Sequence, residues 1–149
     1  MQRPKFSDES GSASLEFITA GLLLLVPLVY LVLVVSSIQG ATLAAEGAAR
    51  QAARVFVTSE NADQAGARSQ QAIDFALADF HVPVSRASVS VNCSEPSSCL
   101  AQDSLVTVSV SVAVPLPLIP SVLGLDQLAV VPVSSQATAH VSRFHGSVN

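Results

Sequence analysis

The chain has no tryptophan, one tyrosine and six phenylalanines in 149 residues, so any core has to be built from Val, Ala and Leu. Charge is also scarce. Only 12% of residues are charged, with seven basic against eleven acidic side chains and a formal net charge of −4. Removing residues 1–11 takes away two of each sign and leaves that balance unchanged. Neither form carries a basic patch, so nucleic acid is excluded as an expected partner. The three histidines, His81, His140 and His145, form no H-E-x-x-H and no Cys/His cluster at metal-ligand spacing. There is no G-x-S-x-G, no phosphate-binding loop and no G-x-G-x-x-G. His140 and His145 are read as exposed residues near a chain end rather than metal ligands. The expectation is a protein that is not an enzyme and holds no metal and no cofactor. Cysteine is limited to Cys93 and Cys99, with five residues between them in CSEPSSC, which fits a disulfide in an oxidising space or two free thiols.

What the chain does have is one long apolar run. From Phe17 to Ile38 no residue is charged, and Glu16 stands directly in front. About 20 apolar residues of helix cross a bilayer core of about 30 Å, so the run can span. A secretory signal has an apolar core of only about 7–15 residues, and the sequence that follows lacks a clear small-residue cleavage site. A retained anchor is the better reading. Arg3 and Lys5 precede the run, and the positive-inside rule puts that end in the cytoplasm and the C-terminal part outside. Pro27 removes one helical hydrogen bond and is expected to kink the helix, which membrane helices tolerate.

The helical pattern continues past the apolar run. Residues 39–57 are alanine-rich, with Glu46 and Arg50 at i,i+4, and Ala41, Ala45, Ala48 and Ala52 on the face opposite the polar line. TSENAD (58–63) reads as a break, with Asn61 and Gln64 resembling a capping box. A second helix is expected over Ala62–Phe80, burying Ala65, Ala72, Ile73, Ala76, Leu77 and Phe80, and ending before Pro83. The period then falls to two. Strands are expected at 84–92, 105–114 and 129–142, with Pro132 favouring an edge position in the third. The connection at 115–127 combines three prolines with Leu116, Leu118, Ile119, Val122, Leu123 and Leu125, and either folds back or forms a contact surface.

The fold class expected is therefore α+β. A single transmembrane helix, extended by the Ala-rich helix, precedes a second helix and a small three-stranded antiparallel sheet. The segments are a leader at 1–11, the transmembrane and extended helix at 12–57 (span about 17–38), an extracytoplasmic head at 58–142 and a tail at 143–149.

Gly11, the four small or apolar residues Ser12-Ala13-Ser14-Leu15, Glu16 and Phe17, followed by an apolar run, are similar to a type IV prepilin processing site. With AARQAAR after the run and VTVSVSVAVPLPLIPSVLG further on, nearly the whole chain resembles, in order, the TadE-like family. Those proteins are minor pilins, or pseudopilins, of the tight-adherence (Flp) pilus system. The resemblance implies a substrate: a membrane prepilin peptidase would cut after Gly11 and make Ser12 the new N-terminus. It also implies that Glu16, with Phe17 beside it, serves subunit pairing by meeting the N-terminal amine of a neighbour. The expected partners are then the membrane, the peptidase, and other pilins or pilus assembly proteins reached through the apolar helix. The chain departs from the pattern at Asp8 and Glu9, where related leaders are usually basic, and at Phe17, where major Flp pilins commonly carry tyrosine. The alternative is a membrane-anchored binding or adhesion module that enters no pilus.

Overall fold

The structure is a computed structural model and describes residues 12–119 and 129–146. Gly11 and the prolyl-leucyl stretch 120–128, including Val122, Leu123 and Leu125, lie outside the described residues. The arrangement is α+β: helix α1 (Ser12–Val57), helix α2 (Ala62–Asp79), a single 3-10 turn (Val84–Arg86), and strands β1 (Ala87–Cys93), β2 (Leu105–Pro115) and β3 (Val130–His140). The chain divides between Val35 and Ser36 into two compact units.

The first unit holds the apolar part of α1. This helix is long and apolar enough to cross a membrane, and its most apolar window is wholly unburied. Leu15, Leu23 and Leu24 are exposed, and Phe17 is 82% exposed. Thr19, one of the few polar side chains here, donates its hydroxyl to the Leu15 carbonyl at 2.7 Å, so it carries no unmet hydrogen bond into an apolar setting. The helix is unbroken through Pro27. That is the tolerance expected of a membrane helix, where a lost backbone bond is met locally.

The second unit is built on alanine. Ala44, Ala45, Ala48, Ala49, Ala52 and Ala53 of α1 are fully or almost fully buried, with Phe56 at the end of the same face. The face is wider than the single stripe anticipated, because Ala44, Ala49 and Ala53 join it. They share one core cluster with Ile73 and Leu77 of α2 and with Val106, Val108, Val110, Val112 and Val114 of β2. The opposite side of α1 is polar, and Glu46 and Arg50 form the expected ion pair.

Helix α2 starts where the sequence predicts. The Asn61 side chain accepts from the Gln64 amide at 2.9 Å, while the Gln64 side chain reaches back to the Glu60 amide at 3.2 Å. This is a capping box with its return bond moved one residue outward. The buried stripe is Ala65, Ser69, Ile73 and Leu77. Ser69 takes a place the apolar pattern did not assign, and it is satisfied by donating to the Ala52 carbonyl of α1 at 3.1 Å. The helix ends in a Schellman turn: Val82 N–H to Leu77 C=O at 2.9 Å and His81 N–H to Ala78 C=O at 2.9 Å. His81 holds the left-handed position at φ 57°, usually a glycine's, and Phe80 is turned out to 44% exposure rather than into the core.

The sheet is an antiparallel meander of order β1-β2-β3. Val110 of β2 faces Val89 of β1 and Ser135 of β3 in register. Because β2 is central and its valines all point one way, that row is covered. The matching valines of β1, Val89 and Val91, stay exposed on an edge strand. Pro132 lies in the other edge strand, as its missing N–H requires. The second face of the sheet is rich in hydroxyls, with cross-strand pairs Thr107–Thr138 (2.8 Å) and Ser134–Ser111 (2.9 Å). Of the 115–119 stretch, Leu116 is half-buried and donates its amide to Ala129 at 3.0 Å, whereas Leu118 is exposed.

Candidate functional site

Two places in the chain bear on function, and each lies within one of the two units. The first is the start of α1. The described residues begin at Ser12, already in α1, and Glu16 lies four positions further along it. Glu16 is exposed, and among the described residues no Lys, Arg or His forms an ion pair with it. It is the only charged side chain from Ser12 to Ala45. With Leu15, Thr19, Ala20 and Leu23 it borders a shallow groove along the helix surface. Phe17 projects beside it. The arrangement presents one carboxylate on an otherwise uncharged, exposed stretch of helix, which suits association with a cationic group carried by another apolar element.

The scissile bond named by the resemblance joins Gly11 to Ser12; Gly11 is outside the described residues and Ser12 opens the helix. Pro27 is distant in sequence from both and sits inside the apolar run.

In the second unit, Cys93 and Cys99 are joined in a disulfide with a Cα–Cα distance of 5.2 Å. This resolves the two alternatives open from the sequence. The bridge closes the turn that leads out of β1, and the loop is further held by Ser94 N–H to Leu105 C=O at 2.9 Å. His140 Nε2 approaches Asp103 Oδ1 at 3.7 Å, with both side chains more than half exposed. The neighbouring Ser104 hydroxyl donates instead to the Cys99 carbonyl at 3.1 Å, so this trio is not arranged as a nucleophile and base. Among the described residues no group of three or more His, Cys, Asp or Glu side chains could hold a metal ion.

The second place was not singled out by sequence. A cleft of about 480 Å³ opens between the α1 segment at Ser36–Ala41, the turn at Phe80–Pro83 and the end of β2. Arg86 lies on its rim. The signal available beforehand was the H-x-P turn after a helix, followed by a lone arginine, and it names a helix stop rather than a cleft.

No family model, no curated protein and no solved structure matches this chain.

Proposed function

We propose that this protein is a minor pilin or pseudopilin of a tight-adherence type pilus, a non-enzymatic assembly component whose apolar helix is its main working surface. Its N-terminus is cytoplasmic, it crosses the membrane once through residues of about 17–38, and the α+β head is extracytoplasmic. A prepilin peptidase cuts after Gly11, and Glu16 then pairs with the free amine of Ser12 on a neighbouring subunit.

The observation that carries this reading is the start of α1. A helix already in place at Ser12 presents a single carboxylate one turn in, followed by an uncovered apolar surface. A carboxylate at a membrane helix mouth costs free energy unless it is paired. A new amine generated four positions before Glu16 supplies a partner of the right charge in the same layer. The oxidised Cys93–Cys99 pair supports an extracytoplasmic head, since disulfides persist in oxidising compartments.

The test is intact mass and N-terminal sequencing of the chain extracted from membranes. A chain beginning at Ser12 is expected. Gly11→Val should abolish that cut while leaving membrane insertion intact, because the spanning run is untouched. A mature chain starting after about residue 40, as a cleaved signal of this length would leave, overturns the proposal. An uncut chain that stays in the membrane fits instead an anchored binding module or accessory subunit.

A further inference from the structure

The cleft in the second unit has a combination of features that the pilin reading does not use. One wall is Ser36 to Ala41 of α1, the stretch in which the apolar run comes to its end at Ile38. At 1.5 Å per residue this wall rises about 7 Å. That is about the depth of one headgroup layer, given a core of about 30 Å inside a bilayer of about 40–45 Å. The cleft therefore borders the stretch of α1 at which the apolar run ends.

The cleft's chemistry suits a headgroup layer. Its lining is largely apolar and includes Val82, Pro83, Val112 and Val114. The rim carries the Arg86 guanidinium and the His81 imidazole, both exposed. Arg86 is the only Lys or Arg between Arg68 and Arg143. Among the described residues no carboxylate is paired with it. The nearest acidic residue of α2 in sequence, Asp79, lines a different hollow with Phe75 and Ala76. Around the same turn, Phe80 and Val84 are each 44% exposed, and Leu118, three residues beyond the cleft-lining Pro115, is 77% exposed at φ 64°. A left-handed leucine presented to solvent is costly twice, in backbone strain and in apolar exposure, unless something apolar receives it. A solvent-facing cleft gives no reason for a single cation among exposed apolar side chains. An anionic interface supplies one, because it takes the guanidinium on phosphate and the side chains among the upper acyl carbons.

We propose that this cleft seats the headgroup of an anionic phospholipid from the bilayer that α1 enters. Arg86 holds the phosphate, His81 donates a second hydrogen bond, and Phe80, Val84 and Leu118 rest on the acyl boundary. The proposal rests on membrane insertion of α1 but not on cleavage at Gly11 or entry into a fibre.

The experiment uses the full chain in nanodiscs of phosphatidylcholine alone and of phosphatidylcholine with 30 mole per cent phosphatidylglycerol (roughly a third anionic, enough to populate a surface contact). Amide exchange is read by mass spectrometry at residues 80–87 and 116–119. Exchange there should slow about fivefold or more in the anionic discs, the effect of one basic side chain at such a surface. Arg86→Gln should remove that difference while exchange in β2 stays unchanged, which shows the head still folded. Equal exchange in the two lipids overturns the proposal, as does an Arg86→Gln chain that keeps the difference. Protection reproduced in neutral discs by soluble glycerol phosphate overturns it too, because the ligand is then a free phosphate ester. A chain that fails to enter discs and is released from membranes by carbonate overturns membrane insertion itself and this proposal with it. A chain that enters discs and responds to lipid, yet is never cut after Gly11, leaves the lipid site standing and removes the pilin reading.

Discussion

Adding bulk to the alanine face of α1 should unfasten the head, and adding it one residue away should not. Ala48 is fully buried, within a face on which Ala44, Ala45, Ala49 and Ala52 are also fully buried. Leucine at position 48 adds three carbons. Given space, their burial would contribute about 0.8 kcal/mol each, or about 2.4 kcal/mol in all. None of the three principal hollows reaches Ala48, so the added carbons must displace β2 or α2 instead. Overpacking of that kind costs about 1–3 kcal/mol. We expect Ala48→Leu to destabilise the head by about 2 kcal/mol, which is about 30-fold in an equilibrium constant. Gly47 is the internal control, since a Cβ built there meets nothing within 4 Å. Gly47→Ala should stabilise by about 0.8–1 kcal/mol through helix propensity alone. With no tryptophan and its one tyrosine, Tyr30, in the apolar run, the head lacks a convenient optical probe. Amide exchange at Val108 and Val110 of the full chain in micelles reads the same opening free energy. Exchange there should rise about 30-fold in Ala48→Leu and fall about fivefold in Gly47→Ala. Unchanged or slower exchange in Ala48→Leu would refute the claim that the small residues on this face of α1 are close-packed in the core of the head.

Two further outcomes follow from local features. Cys93 and Cys99 are six positions apart, and loop-closure entropy for so short a ring is about 2.3 kcal/mol, so a Cys93→Ser, Cys99→Ser chain should exchange its β1 amides about 50-fold faster. Asn61→Ala should cost about 1 kcal/mol and raise exchange at the start of α2 about fivefold, whereas Asn61→Asp should keep the cap; equal effects of the two substitutions would exclude the side-chain bond to Gln64 as the cause.

Much of this architecture was legible in the sequence because it is set by local periodicity. The extent of α1 over 12–57 follows from an unbroken apolar and then Ala-rich helical pattern, closed by the TSENAD break. The strand β2 follows from strict alternation of Val with Ser, Thr and Ala. Burial was less legible, because it depends on which neighbour covers a face. Val89 and Val91 alternate just as the β2 valines do, yet they are exposed, since β1 is an edge and β2 is central. Ser69 is polar and so falls outside the apolar pattern, yet its bond to the Ala52 carbonyl satisfies it where it is buried. Helical spacing points Phe80 inward, but the left-handed His81 turn ends that spacing one residue later. At the candidate sites, the Gly11–Phe17 pattern is visible in one dimension. The cleft is not, because its walls come from residues near 36, 82 and 114.

The position of Glu16 narrows what the start of α1 requires. A carboxylate near a membrane helix terminus has three ways to offset its desolvation: the helix dipole, a cation in its own chain, or a cation on another chain. The first fades beyond the first turn, and in a chain cut after Gly11 Glu16 would lie in the second. For the second, the described residues of the chain pair no cation with it, and the basic side chains that precede it, Arg3 and Lys5, lie in the segment that cleavage after Gly11 would remove. On the proposed function the third route is therefore the one that cleavage opens, because the same cut that discards those cations creates an amine at Ser12. It follows that cleavage and helix association should be coupled. A Glu16→Gln chain should be cut normally but lose its preference for helix partners, and Gly11→Val should lose that preference with Glu16 intact. Cross-linking of neighbouring chains through the apolar helix, compared between these two variants in the same membrane, measures that coupling. Undiminished cross-linking in Gly11→Val would mean that Glu16 finds its cation elsewhere and that the Ser12 amine is not its partner.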